Sequence, residues 1–144
     1  MDFKERIRNA YKDATSDLHY FELWPGQFIV CAVIKDSQED ALEVHFVANW
    51  QSKPMMWATL YNNTTQWKQP PEPHPIGSRK MPASAFSDFI PNNELFGEAV
   101  YMIQYRLYDF KKTHSNLTSV EFIVYDGSGY KKDVGGQNYK VKIT

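Results

Sequence analysis

Several strand-length apolar runs separated by turn residues, preceded by one stretch with helical spacing, predict a mainly β chain: an immunoglobulin-like antiparallel β-sandwich with an added N-terminal α-helix. Phe3, Ile7, Ala10, Tyr11, Ala14 and Leu18 recur every three or four residues, with Lys4, Glu5, Arg8, Lys12 and Asp13 between them. That period predicts an amphipathic helix over residues 2–18, N-capped by Asp2. Its Phe3, Ile7, Tyr11 and Leu18 face is expected to pack on the sandwich or on a second copy of the chain. Pro25-Gly26 ends this region, so residues 1–26 read as helix and connection, and residues 27–144 as the β-sandwich domain.

The strand expectations follow from alternation. In "QFIVCAVIK", from Gln27, both faces are apolar, the pattern of a strand covered on both sides. In "LEVHFVANW" Leu42, Val44, Phe46 and Ala48 share one face and Glu43 and His45 the other, which predicts a half-buried strand. "MMWATLY" resumes the pattern after Pro54, residues 62–65 read as a turn, and Trp67 follows. Lys68 to Pro82 carries five prolines and is expected to be an ordered surface loop. "SAFSDFI" reads as a turn or helical stub. "EAVYMIQYRLYDF" is the longest strand candidate, "KKTHSNLT" a loop, and "SVEFIVY" and "NYKVKI" the closing strands.

Composition excludes several classes. With 144 residues the chain is most simply one domain, and a net charge of −1 with scattered Lys and Arg leaves no basic footprint for nucleic acid. The charged N-terminus lacks the apolar core of a signal peptide, and no segment approaches the length of a membrane span. The expectation is a soluble cytoplasmic protein without a membrane partner, or an extracellular one if the chain is a fragment. Cys31 alone permits neither an intrachain disulfide nor a cysteine-based metal site, and within "FIVCAVI" it reads as a small buried hydrophobe.

Catalytic patterns are missing. His19, His45, His74 and His114 share no ligand spacing and are expected at the surface or in loops. Gly127-Ser128-Gly129 precedes a strand, so it reads as a hairpin turn and not as a dinucleotide cradle. There is no nucleophile elbow or P-loop, and a charged surface accounts for the acidic residues. The chain is therefore expected to be no enzyme and to use no cofactor or metal. What remains unusual is 15% aromatic residues with four tryptophans, more rings than a core requires.

The closing stretch supplies a direction. Glu121-Phe122, Asp126-Gly127, and then Lys132-Asp133-Val134-Gly135-Gly136-Gln137-Asn138-Tyr139 resemble, in order and spacing, the last hairpin of the starch- and glycogen-binding carbohydrate-binding modules of β-sandwich fold. Upstream, the strand ending near Trp50, the strand carrying Trp57 and Tyr61, the turn before Trp67 and the Pro-containing segment closing on Met81 look like the first half of the same families. The resemblance covers Leu42 to Ile143. It departs where the family's tryptophan falls on Lys131, with Tyr130 beside it.

The resemblance implies non-catalytic binding of an α-glucan: starch, glycogen or a malto-oligosaccharide. A glucose ring offers an apolar C–H face and a rim of hydroxyls, so its site needs flat aromatics and planar polar groups. Trp67 is the first candidate platform, then Tyr61, Trp57, Trp50 and Tyr130; Lys131, Asp133, Gln137 and Asn138 are the rim candidates. Each has a plain alternative. Tryptophans fill cores, Asn138 can bond its own loop, and Gly135 and Gly136 can simply allow positive φ at a turn. The competing functional reading is a protein-interaction domain without a sugar ligand, with a protein partner or self-association through the N-terminal helix.

Overall fold

The structure, a computed structural model, describes residues 3–12, 16–49, 55–57, 78–80, 86–91, 101–113, 119–125, 130–131, 136–137 and 139–142. These are mainly antiparallel β-sheet with a short N-terminal helix, α1 (Phe3–Ala10). Three strands follow as a meander: β1 (Ser16–Trp24), β2 (Gln27–Asp36) and β3 (Ala41–Ala48). Then come β4 (Met55–Trp57), β5 (Ser78–Lys80), β6 (Phe86–Pro91) and β7 (Tyr101–Leu107). The second short helix is α2 (Phe110–Thr113), and β8 (Ser119–Phe122), β9 (Val124–Tyr125), β10 (Tyr130–Lys131) and β11 (Tyr139–Lys142) complete the described elements.

The predicted helix is too long. It ends at Ala10, its last turn closed by the Tyr11 N–H donating to Ile7 O at 3.1 Å, and Leu18 lies in a strand. Eight residues cannot sustain a helix in isolation, so packing holds α1 in place. The segment read as a connection pairs with β2 from Ser16 opposite Ile34 to Trp24 opposite Gln27, and so belongs to the sheet. Pro25-Gly26 is the two-residue turn of that hairpin. Pro pre-sets the first turn position, and Gly26 takes φ +77° at the second, where a side chain is disfavoured. Asn49 fastens this turn from β3's end: its Oδ1 accepts the Phe28 N–H at 2.8 Å, and its amide donates to Gly26 O at 3.1 Å.

The strands line up as β1-β2-β3-β7-β6-β4-β9-β10, with β5 also beside β6, while β8 and β11 form a separate antiparallel pair. One face of the β1-β2-β3-β7 region packs against that pair. Ile29, Cys31, Val33, Val44, Phe46 and Ile103 from the sheet meet Val120, Phe122, Tyr139 and Val141. Phe122 stands edge-on to Phe46 and Phe21 with centroids 5.0 and 5.6 Å apart, and stacks on Tyr139 at 5.3 Å, so rings from four strands interlock at the centre.

The opposite face is covered by α1. Ile7 and Tyr11 pack on Val30, Ala32, Val47 and Met102, with Phe3, Leu18, Tyr20 and Ile34 around them. Phe3 stacks near Phe28, and the Lys4 ammonium lies 5.2 Å from the Phe28 ring centre and 5.6 Å from that of Tyr20. This cover explains why β2 is buried on both faces, as its apolar alternation implies. It also overturns the half-buried expectation for β3. His45 is 7% exposed and Val47 0%, because α1 seals the face that Glu43 and His45 were expected to turn to water.

Three other expectations change. The stub at "SAFSDFI" is strand β6, residues 78–80 of the Pro-containing segment are strand β5 paired with it, and the loop after β7 begins with helix α2. The strand read as one run over 119–125 is divided at Ile123: residues 119–122 pair with β11, and residues 124–125 pair with β4 and β10.

Candidate functional site

Of the residues proposed for sugar contact, Trp50, Tyr61, Trp67, Asp133 and Asn138 lie outside the described residues. The backbone of the others is described. Trp57 ends β4, where it pairs with Phe86 of β6. Two residues earlier, Met55 pairs with Tyr125 of β9, and Tyr125 pairs with Tyr130 of β10. The next row runs Met56, Val124, Lys131. Residues far apart in sequence thus meet on three consecutive strands. Trp57 and Tyr130 belong to strands two spacings apart, about 10 Å. β9 and β10 pair antiparallel, and Gly127-Ser128-Gly129, read as a hairpin turn, lie outside the described residues. Beyond β10, Gly136 has φ +81°, as its turn reading requires, and Gln137 is exposed.

Sequence reasoning missed a second group of polar side chains, on the α1-covered face. Arg106 of β7 donates through Nη1 to Glu43 and through Nη2 to Asp36, both at 3.0 Å. Asp36 also accepts the Glu39 N–H at 3.1 Å. The Arg106 hydrogen bond, then the backbone one, hold the Asp36 carboxyl below the usual carboxylate range. The other oxygen of Glu43 faces His45 Nε2 at 3.2 Å, and His45 Nδ1 meets the Tyr11 hydroxyl at 2.8 Å. The arrangement fits a neutral imidazole whose Nε2–H donates to Glu43 while Nδ1 accepts from Tyr11. Burial first, and the Glu43 charge second, keep the Tyr11 hydroxyl protonated far above the ordinary tyrosine range.

This array joins the end of β2 to the end of α1 through five side chains linked in series by hydrogen bonds. Its chemistry is fastening. A signal existed in the alternation of Glu43 with His45 and of Gln104 with Arg106, but only the β3–β7 register, Glu43 opposite Arg106, brings the two sets together. His45 is accordingly a buried, bonded histidine and not the surface residue expected. His19 likewise lies in β1 and not in a loop. Cys31 is fully buried, and burial pushes its thiol well above the usual range, so it is unreactive as its apolar run implies. Tyr108 is a large hydrophobic residue that is exposed, at 48%, with the Arg106 guanidinium 5.2 Å from its ring centre.

Among the described residues there is no group of three or more His, Cys, Asp or Glu able to hold a metal, and no helix is long and apolar enough to cross a membrane. Compared with protein-family models, curated proteins and solved structures, the chain matches none.

Proposed function

We propose that the chain binds an α-glucan, as starch, glycogen or a malto-oligosaccharide, and performs no reaction on it. The observation that carries this reading is the register across β4, β9 and β10, which sets Trp57 and Tyr130 at positions of the same parity on strands two spacings apart. A sugar site needs flat aromatic residues on a common face to meet the C–H faces of successive rings. On this reading the β8–β11 pair and the main sheet are the two layers of an immunoglobulin-like sandwich, with the sugar at its β4-β9-β10 side.

Affinity electrophoresis tests it, in gels containing amylopectin, glycogen, cellulose or no polysaccharide. The expected result is retardation by amylopectin and glycogen alone, reduced several-fold or more by Trp57→Ala, Trp67→Ala or Tyr130→Ala in chains that melt normally. Equal mobility in all four gels would refute the proposal.

A protein partner is the second reading, and β1 favours it. That strand pairs only with β2 among the described strands, and Leu18, Tyr20, Phe21 and Trp24 on it are half-buried. A partner strand added at this edge would be recognised largely through main-chain hydrogen bonds. Equal mobility in all four gels, together with a concentration-dependent dimer in sedimentation, would favour it.

A further inference from the structure

At the opposite end of the main sheet from the Pro25-Gly26 turn, a cavity of about 320 Å³ lies between the β2–β3 turn and α2. Its lining is mainly carbon, with Ala41, Leu42 and Phe110 contributing the apolar part, and Lys35, Asp36, Asp40 and Lys111 standing around it. Its walls are tied together. The Phe110 N–H donates to Asp40 O at 2.8 Å, and the Lys111 N–H donates to the Asp40 carboxylate at 3.2 Å. Asp40 and Asp109, which flank these ties, have φ of 48° and 50° and are the only non-glycine residues at positive φ among those described. Both are aspartates in turns or bends, a residue type that takes this conformation readily, and they shape the backbone on two sides of the cavity.

The charges are unevenly engaged. Asp36 is occupied by Arg106 and the Glu39 N–H, and Asp40 by the Lys111 N–H. The ammonium groups of Lys35 and Lys111 have no carboxylate within salt-bridge distance among the described residues. An occupant that complements this site carries an apolar body and one negative charge. A doubly charged phosphate would face Asp36 and Asp40 across the same rim and would have no apolar body to set against Leu42 and Phe110.

Size narrows the class further. A cavity of ~150 Å³ suffices for benzene, so one twice as large takes a body of about ten carbons, at the lower end of the range of small-molecule sites. We propose that the cavity between the β2–β3 turn and α2 binds an aromatic or medium-chain monocarboxylate, with its carboxylate between Lys35 and Lys111 and its body against Leu42 and Phe110. This site is independent of the glucan reading.

The test is a nitrogen-15 NMR titration of the whole chain with naphthalene-2-carboxylate, with decanoate, and with naphthalene-2-methanol as the uncharged control. Saturable shifts at the amides of Ala41, Leu42, Phe110 and Lys111 are expected, with the alcohol binding at least about tenfold more weakly than the aromatic acid. The double substitution Lys35→Gln with Lys111→Gln should bring the acid down to the alcohol's affinity. Both lysines are exposed, so the fold should tolerate the change, and amide dispersion away from the cavity checks that it does. No saturable shift at these amides, equal affinity for acid and alcohol, or undiminished acid binding by a folded double variant would each overturn the proposal. Should the variant not fold, the comparison of acid with alcohol on the unaltered chain decides.

Discussion

Tyr11→Phe measures how tightly α1 is built into the domain. The change removes one oxygen and leaves His45 Nδ1, in a residue only 7% exposed, without its hydroxyl donor. A hydrogen bond is worth about 0.5–1.5 kcal/mol net, but a buried acceptor left unpaired costs about 1–3 kcal/mol, and the second figure governs here. For a chain of this size that is a fall in Tm of roughly 2–12 °C. The pH dependence provides a separate reading. Unfolded tyrosine ionises near pH 10, whereas native Tyr11 keeps its proton well beyond that, so above about pH 10 the unfolded chain binds one proton fewer than the native one. Stability then falls as pH rises, by about 1.4 kcal/mol per pH unit for this group. The Cys31 thiol acts with the same sign from about pH 8.5. Urea unfolding across the alkaline range should therefore show Tyr11→Phe less stable at neutral pH yet losing stability less steeply above about pH 10. Equal stability at neutral pH with parallel alkaline curves would refute the buried hydroxyl and the docked helix together.

Phe46→Ala removes a fully buried ring from the centre of the aromatic cluster, and denaturant unfolding should show a loss of about 3–5 kcal/mol. Asn49→Ala deletes two hydrogen bonds that hold the β1–β2 turn, and the same measurement should show about 1–3 kcal/mol lost, with amide exchange quickened at Phe28. Asp36→Asn should be less stable than the native chain at neutral pH. Because the folded Asp36 carboxyl titrates below its unfolded value of about 3.9, that advantage is lost as pH falls through the depressed folded value, and urea midpoints of the two chains should converge in acid.

Alternation made β3, β7 and the closing strands legible, and β2 was legible as an unbroken apolar run of strand length between turn residues. β1 was not. Leu18 follows Ala14 at helical spacing, and with Leu18 and Tyr20 on the face under α1 and Phe21 and Leu23 on the other, the strand lacks a polar side to betray its period. β6 was obscured by its flanking prolines, and its partners β4 and β5 are only three residues each, too short for a pattern. The polar array could not be read at all, since it depends on which strand lies beside β3. The candidate sugar residues were named from ring chemistry and a resemblance, and the register shows why Trp57 and Tyr130 can be considered together, while five of the nine fall outside the described residues.

The division of residues 119–125 at Ile123 has a consequence for how the chain can change length. Val120, Phe122 and Val124 alternate into the core on both sides of the division, while the same short run is paired to β11 in front and to β4 and β10 behind. One inserted or deleted residue would exchange the two parities and set Glu121 where Phe122 now meets Phe21, Phe46 and Tyr139. Two would restore the parity yet slide the run past its partners on both sides at once. This run is thus locked in frame: any change of length within 119–125 breaks either the core alternation or the pairing to strands on both sides.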